Sequence, residues 1–599
     1  MKKYIAIIAS MMLAAVSCNI LDTTPGSQIG TPSFFKTEND LKLFSNAFYD
    51  QFDDKNEFYQ EQSDHYVNFE MSAFLKGGDF RSVPASGGGW TWTMLRRINN
   101  LLYYIDQCPD EKLVKEYTAL ARFFRAYFYF EKVKRFSDVP WVEAALDSDS
   151  EELQNPRSDR EFVVSKLIDD LDAAIEGLSE TKNVYRVTKW TAIALKAQVC
   201  LFEGTYRKYH SANPATGKAW TPMFQTSEAL LKMAEENAER IMTEGGYSLA
   251  KDYLMLFANE NADVNEMILA LRFEQSLSRK NNTSAFALMP TQGMPGLTKK
   301  FVDSFLMADG SRFTDKEGWE TMEFLEEMTG RDPRLACCTR VPGYHRIGQT
   351  QVLAPDYGSS CTGYQIVKFV MDPSLPNVDR VTYSYNDLPL IRLAEIYLIY
   401  AEAKAELGTL SQADLDKSVN IIRDRVKMPH MDLAAANANP DPYLLSAEYG
   451  YSNPVLTSSP NVGVILEIRR ERAVELAQEG KRIDDLMRWK EGLCLNQPFY
   501  GPYFHGEGSY DLTGDKKTNL ILYISDKPAV SEGVDARKIG EKATGTVLSE
   551  GTYGYVDTQK GIRHQFNEDR DYIYPIPSDE RQLNKNLAQN PGWNDGLSF

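Results

Sequence analysis

The stretch Leu388–Gly408, LPLIRLAEIYLIYAEAKAELG, constrains the fold of this chain more than any other. Leu390, Leu393, Ile396, Tyr397, Tyr400 and Ala401 recur at spacings of three and four, which places their side chains on one face of a helix. Pro389 suits a first helical turn, where its missing N–H is not needed, and Gly408 suits the left-handed stop just past the end. Ala394, Ala401, Ala403 and Ala405 are small enough to let a second helix approach closely. That helix is predicted to start at Ser411, where SQAD has the Ser-x-x-acid form of a capping box, and to run to about Val426. Two antiparallel helices joined by a short turn form a helical hairpin.

The same pattern recurs along the chain. Helices are predicted over 32–52, 91–107, 113–136, from Ser158 to just before Gly177, 188–209, 227–243 and 462–489. Ser158 is expected to cap its helix, with Glu161 reaching back to it. The expected fold is mainly α, a tetratricopeptide-like scaffold of about four helical hairpins. Its pairs fall around 32–245, 388–426 and 462–490. Between them lie parts rich in Gly, Pro, Asn, Asp and Tyr, 246–387, 428–460 and 495–570, read as inserted segments that form a ligand face. Glu266–Ala270 and Leu520–Ile524 are short apolar runs, the second read as a strand between loops.

Lys2 and Lys3 precede an apolar run from Tyr4 to Val16, too short to span a bilayer and suited to a signal peptide over 1–17. Cleavage after Ser17 would leave Cys18 first, as in a bacterial lipoprotein, although Ala15 stands where that signal usually has Leu. Residues 18–31 then read as a lipid-anchored tether and 32–599 as a single domain. A net charge of -18 and the lack of a basic run argue against nucleic acid or anionic lipid as a partner. Cys108, Cys200 and Cys494 fall in helical patterns and are expected to be buried free thiols.

Four stretches, 121–142, 392–408, 468–490 and YIYPIPSDERQLNKNLAQNPGW at 572–593, together resemble the SusD/RagB family of outer-membrane nutrient-binding lipoproteins. The resemblance implies a non-enzymatic protein on the cell exterior, anchored in the outer membrane through Cys18. It implies capture of a glycan and delivery to a SusC-like TonB-dependent transporter, with a peptide or glycopeptide ligand as the alternative within the family. The helical side would face the transporter and the inserted segments the ligand. By the same resemblance the ligand region draws on the 65–92 loop and on 275–345, where Tyr66, Asn68, Asp79, Arg81, Trp90, Trp319 and Tyr344 are the candidates. Trp90 leads them, because Gly87, Gly88 and Gly89 would leave its ring free to stand out from the surface. Arg469, Arg470, Arg472, Glu475, Arg482 and Asp485 are expected instead to be packed ion pairs that hold the scaffold.

No catalytic signature accompanies these features. The six histidines form no H-E-x-x-H, and there is no G-x-S-x-G or P-loop. A glycoside hydrolase needs only two carboxylates flanking a cleft, so it stays as the rival from another class. No cofactor is expected; the acids of 303–315 do not follow the EF-hand pattern, which leaves room only for a structural Ca2+.

Overall fold

The structure, a computed structural model, describes residues 34–53, 57–542, 544–562 and 564–599. The expected signal peptide, Cys18 and the tether lie outside the described residues. The first half is a run of antiparallel helices: α1 (Glu38–Asn46), α2 (Thr93–Tyr104), α3 (Glu111–Phe136), α4 (Arg160–Gly177), α5 (Lys189–Tyr209) and α6 (Ser227–Glu244). After β1 (Met267–Leu271) and the short α7 (Lys299–Ser304), the chain returns through β2 (Leu388–Arg392) into α8 (Leu393–Leu407). It continues with α9 (Gln412–Asp416), α10 (Val419–Arg425), α11 (Val462–Glu475) and α12 (Arg482–Arg488). Helices α2 to α6 pack each on the next, α8 packs on α5 and α6, and α11 packs on α8. The array is therefore continuous in space although the chain leaves it for 246–387.

Local chemistry accounts for the ends of these helices. Asp110 caps α3 by accepting from the backbone N–H of Lys112 at 2.9 Å and Leu113 at 3.2 Å, and Lys134 and Arg135 close the far end, where cations suit the helix dipole. Ser411 and Asp414 form the expected capping box, and Gly408 stops α8 at φ 73°. In α4 the cap is Asp159 rather than Ser158. The Ser158 N–H is bonded to the Val139 carbonyl at 3.0 Å, and Glu161 accepts from Thr221 N–H at 3.0 Å instead of turning back to the cap.

Three helical expectations are corrected. Leu388–Arg392 is a strand, paired antiparallel with Met267–Leu271 with Pro389 opposite Ala270, so the helix starts only at Leu393. A proline is tolerated there because the ribbon has two strands and both are edges. Helix α8 is not amphipathic: all but two of its residues are buried, including Glu395, Glu402 and Glu406, because it lies at the centre of the array. The 462–489 segment breaks at 476–481, where Gln478 and Gly480 take φ of 61° and 66°.

Buried charge joins the inserted segments to the scaffold alongside apolar packing. Arg392 bonds Glu479 at 2.8 Å, Glu475 at 2.6 Å and Glu266 at 3.0 Å. Arg425 bonds Glu266 at 3.0 Å and also Glu475, Arg334 reaches Glu471 at 2.5 Å, and Lys368 reaches Glu479 at 2.8 Å. Arg472 pairs with Asp485 and Arg482 with Asp64, each at 2.8 Å, so these motif charges are packed ion pairs as the sequence indicated. Guanidinium forks answered by carboxylates on several sides satisfy one another where water is excluded. Cys108, Cys200 and Cys494 are buried free thiols.

Candidate functional site

The candidates of the 65–92 loop are spread over the surface and the core. Trp90 is corrected first: it is 4% exposed, edge-on to Phe136 at 4.8 Å and to Trp92 at 5.3 Å. The three glycines do not free it. They take φ of 73°, 56° and 87°, which folds the loop onto α3, where the Gly88 carbonyl accepts from Arg135 Nε at 2.7 Å. A Cβ on Gly89 would stand 2.7 Å from Arg135 Nε, so glycine is needed for this close approach. The ring is a plug under the turn.

Arg81 is also buried, with Nη1 2.8 Å from an Asp571 carboxylate oxygen and its guanidinium among the rings of Phe74, Tyr574 and Trp593 at 4.8 to 5.0 Å. It fixes the C-terminal Tyr-x-Tyr-Pro motif to the first inserted loop. Tyr66 is buried in a two-residue strand against Gly296–Leu297, and its hydroxyl donates to the Tyr59 carbonyl at 2.6 Å. Asn68 is half-buried and its carbonyl accepts from Gln559 at 3.2 Å, whereas Asp79 is exposed. Tyr344 is half-buried in a separate groove of about 270 Å³ with Val341, His345 and Arg346.

Trp319 stands elsewhere, in company that the sequence reading missed. It lies half-buried on a 3-10 turn, edge-on to the buried Tyr443 at 5.3 Å, whose hydroxyl is tied to the Lys300 carbonyl at 3.2 Å. Near it, Tyr500 and Tyr555 are stacked at 4.9 Å with their planes 15° apart, and Tyr503 meets Tyr555 at 5.5 Å. All three tyrosines are half-buried. The backbone sets them: Tyr503–Phe504 pairs antiparallel with Gly554–Tyr555, Tyr503 bridges to Glu323, and the Tyr500 carbonyl accepts from Lys299 N–H at 2.6 Å. Trp319, Tyr443 and the three tyrosines come one group from each of the inserted parts 246–387, 428–460 and 495–570.

Lys299 of α7 joins the two ring groups, its Nζ 5.9 Å from the centre of Trp319 and 5.9 Å from that of Tyr555. The same ammonium is bonded to Asp303 at 3.2 Å and to Glu327, which also accepts from the Tyr364 hydroxyl at 2.5 Å. Burial opposes the lysine's charge, but Asp303 and Glu327 outweigh it and hold its pKa above the usual value. Burial likewise pushes the Asp303 carboxyl above its ordinary range, with Lys299 opposing. The result is a fixed buried cluster with half-buried rings above it and Glu320 and Glu448 exposed at the rim. Such faces suit the C–H faces of a pyranose, and the rim oxygens suit its hydroxyls. YGPYF at 500–504 and TYGY at 552–555, where tyrosines alternate with Gly and Pro in a loop-rich part, were the signal available in the sequence.

Other concavities lie apart from the platform. One of about 580 Å³ runs past Trp92, Arg96, Leu146, Leu153 and Leu583, with Trp90 in its wall. A narrower one of about 130 Å³ lies in the seam between α3, α5, β2 and α12 and is lined by the scaffold's own rings and charges. Among the described residues no group of His, Cys, Asp or Glu is placed to hold a metal ion.

A family model described as SusD family matches residues 265–593, more than half of the chain, and the protein belongs to that family. A second, described as starch-binding and associating with the outer membrane, matches residues 90–201. Among curated relatives, the SusD-like protein P2 of Formosa agariphila is 24% identical over 525 residues, which span 84% of this chain and 93% of that one. A solved SusD-like protein of Bacteroides fragilis superposes with a TM-score of 0.66 at 21% identity, covering 95% of this chain and 100% of the other. Another from that organism, titled a SusD-like carbohydrate binding protein, gives 0.67 at 20% identity over 93% and 100%. At these identities the likeness speaks for the fold.

Proposed function

We propose that the protein is a non-catalytic cell-surface binding protein that captures a glycan on the Trp319–Tyr500–Tyr503–Tyr555 platform and delivers it to a SusC-like TonB-dependent transporter. Anchoring in the outer membrane through Cys18 belongs to the same proposal, as does division into signal peptide, tether and one domain. The observation that carries the reading is the convergence of half-buried rings from two inserted segments, backed by the buried Tyr443 of a third, beside one buried lysine–carboxylate cluster. Rings that served only the core would be covered; these keep part of their surface in water, while strand pairing fixes the backbones of Tyr503 and Tyr555. The likeness to the second Bacteroides fragilis protein, a SusD-like carbohydrate binding protein, supports the ligand class.

The test is affinity electrophoresis of the mature chain against plant, host and microbial polysaccharides, with a reducing-end assay beside it. Retardation by one polymer, weakened about tenfold or more by Trp319→Ala with the fold intact by circular dichroism, is the expected result. Retention that Trp319→Ala and Tyr500→Ala leave unchanged would remove the platform from binding. New reducing ends would make the protein a hydrolase, with Glu320 and Glu448 the carboxylates to replace first. Retention by peptides and by no polysaccharide would move the reading to the peptide-binding alternative.

A further inference from the structure

One edge of the platform is acidic. Glu320 and Glu448 are exposed beside it, as is Glu550, and Asp557 is half-buried. Their fields reach the rings: burial raises the Tyr555 hydroxyl, and Glu448 and Glu320 add to it against Lys299. Burial likewise raises Tyr500, with Asp557, Glu550 and Glu448 adding. Several cations near the platform are turned to other work. Lys299 is held by Asp303 and Glu327, and Lys300 by Asp64 at 2.9 Å and the Cys494 carbonyl at 2.8 Å. Lys316 packs over Phe313 at 5.7 Å, and His505 faces Glu323 at 3.9 Å. Exposed Lys560 donates to the Leu548 and Ser549 carbonyls at 3.0 and 2.7 Å and, with Lys542, faces Asp557. A ligand lying on the rings therefore meets Glu320 and Glu448 at one edge, and the ammonium of Lys299 beneath the rings is already paired.

We propose that this rim, with Glu320 and Glu448 as its specificity-determining residues, makes the platform select uncharged or amino-bearing glycans and reject those carrying uronate or sulfate groups. The inference rests on the reading of the platform as the glycan site. Hydroxyls and ammonium groups donate to carboxylates, whereas a uronate or sulfate can only accept and is repelled. A ligand carboxylate about 8 Å from two rim carboxylates in a largely aqueous setting would bind about fivefold more weakly than its neutral counterpart, and less so at high salt.

The test compares three neutral polymers, laminarin, hydroxyethyl cellulose and galactomannan, each with its carboxymethylated form, by affinity electrophoresis of the mature chain at low and at high salt. At least one neutral polymer is expected to be retarded about fivefold more strongly than its carboxymethylated form, with a gap that narrows in salt. Glu320→Gln/Glu448→Gln should narrow the gap to about twofold at low salt, whereas Glu176→Gln/Glu236→Gln, which removes as much charge from exposed positions on α4 and α6, should leave it. Equal retention of neutral and carboxymethylated forms, both lost in Trp319→Ala, would overturn the inference and leave the platform standing. A gap untouched by the rim variant, or closed as far by the distant one, would also overturn it. Retention of no polymer, or retention indifferent to Trp319→Ala, would remove the platform reading and this inference with it.

Discussion

Arg392→Met tests whether buried charge holds the inserted segments to the scaffold. The guanidinium donates to both Glu479 carboxylate oxygens at 2.8 Å, to Glu475 at 2.6 Å, to Glu266 at 3.0 Å and to the Glu475 carbonyl at 2.8 Å, and it is 1% exposed. Methionine fills much of the volume and answers none of these oxygens. Arg425 still faces Glu266 and Glu475, and Lys368 still faces Glu479, so the carboxylates keep part of their compensation. Removing one partner from a buried ion pair costs about 3–5 kcal/mol, a large share of a total stability of about 5–15 kcal/mol. Urea unfolding followed by tryptophan fluorescence at pH 7 should show that loss. Its dependence on pH is the sharper check. Burial works against the Glu475 charge, yet Arg425, Arg392 and Arg334 hold its carboxyl well below the usual range, and Glu479 is lowered by Arg392 and Lys368 against the same burial. A depressed carboxyl contributes stability above its unfolded pKa and loses it as pH falls toward the folded one. The variant lacks part of that contribution, so the gap between the two proteins should shrink by about 1–2 kcal/mol from pH 7 to pH 4. A loss under about 1 kcal/mol, or one that does not change with pH, would refute the claim that this arginine is the link.

Trp90→Ala should lower stability by about 3–5 kcal/mol in thermal or urea unfolding while the folded fraction keeps its glycan affinity; selective loss of affinity would return Trp90 to the site. His210 donates Nε2–H to the Met487 carbonyl at 2.8 Å and is buried, which pushes its pKa down to about 3. Its stabilising contribution is complete above an unfolded pKa near 6.5 and is lost as pH falls toward the folded value, about 2 kcal/mol by pH 5. His210→Gln should remove that part of the slope; the slope left would come in part from His65, which burial also holds well below its usual value. Cys18→Ala should move the protein from the membrane to the soluble fraction, and an unchanged membrane fraction would sink the lipid anchor.

The helical array was legible because periodicity, capping residues and terminal glycines are local signals. Ser411 and Gly408 act where their neighbours in sequence say they should. The strand at Leu388 was not legible, since its apolar spacing fits a helix equally well and only the partner strand 121 residues earlier, at Met267, decides the matter. Nor was the burial of Trp90: a Gly-Gly-Gly run reads as freedom until Arg135, on another helix, packs against it. The platform fell between these cases. Trp319 could be chosen on its own, but Tyr443, which it meets edge-on, and Tyr555, which shares the Lys299 ammonium with it and stacks on Tyr500, lie more than a hundred residues away in sequence, and no local pattern brings them together.

The lacing at Arg392 also sets where this chain can be recombined. In linear order 246–387 resembles a cassette that could be cut out whole and replaced by that of another family member. Glu266, Arg334 and Lys368 lie inside it, however, and their partners Arg392, Arg425, Glu471, Glu475 and Glu479 lie outside. A swap at its ends would strand charges on both sides of the seam. Nor is the outer tier around Trp319 a free unit: Glu327 inside it pairs with Lys299 and accepts from Tyr364, both outside it, so these three residues have to be kept together in any graft.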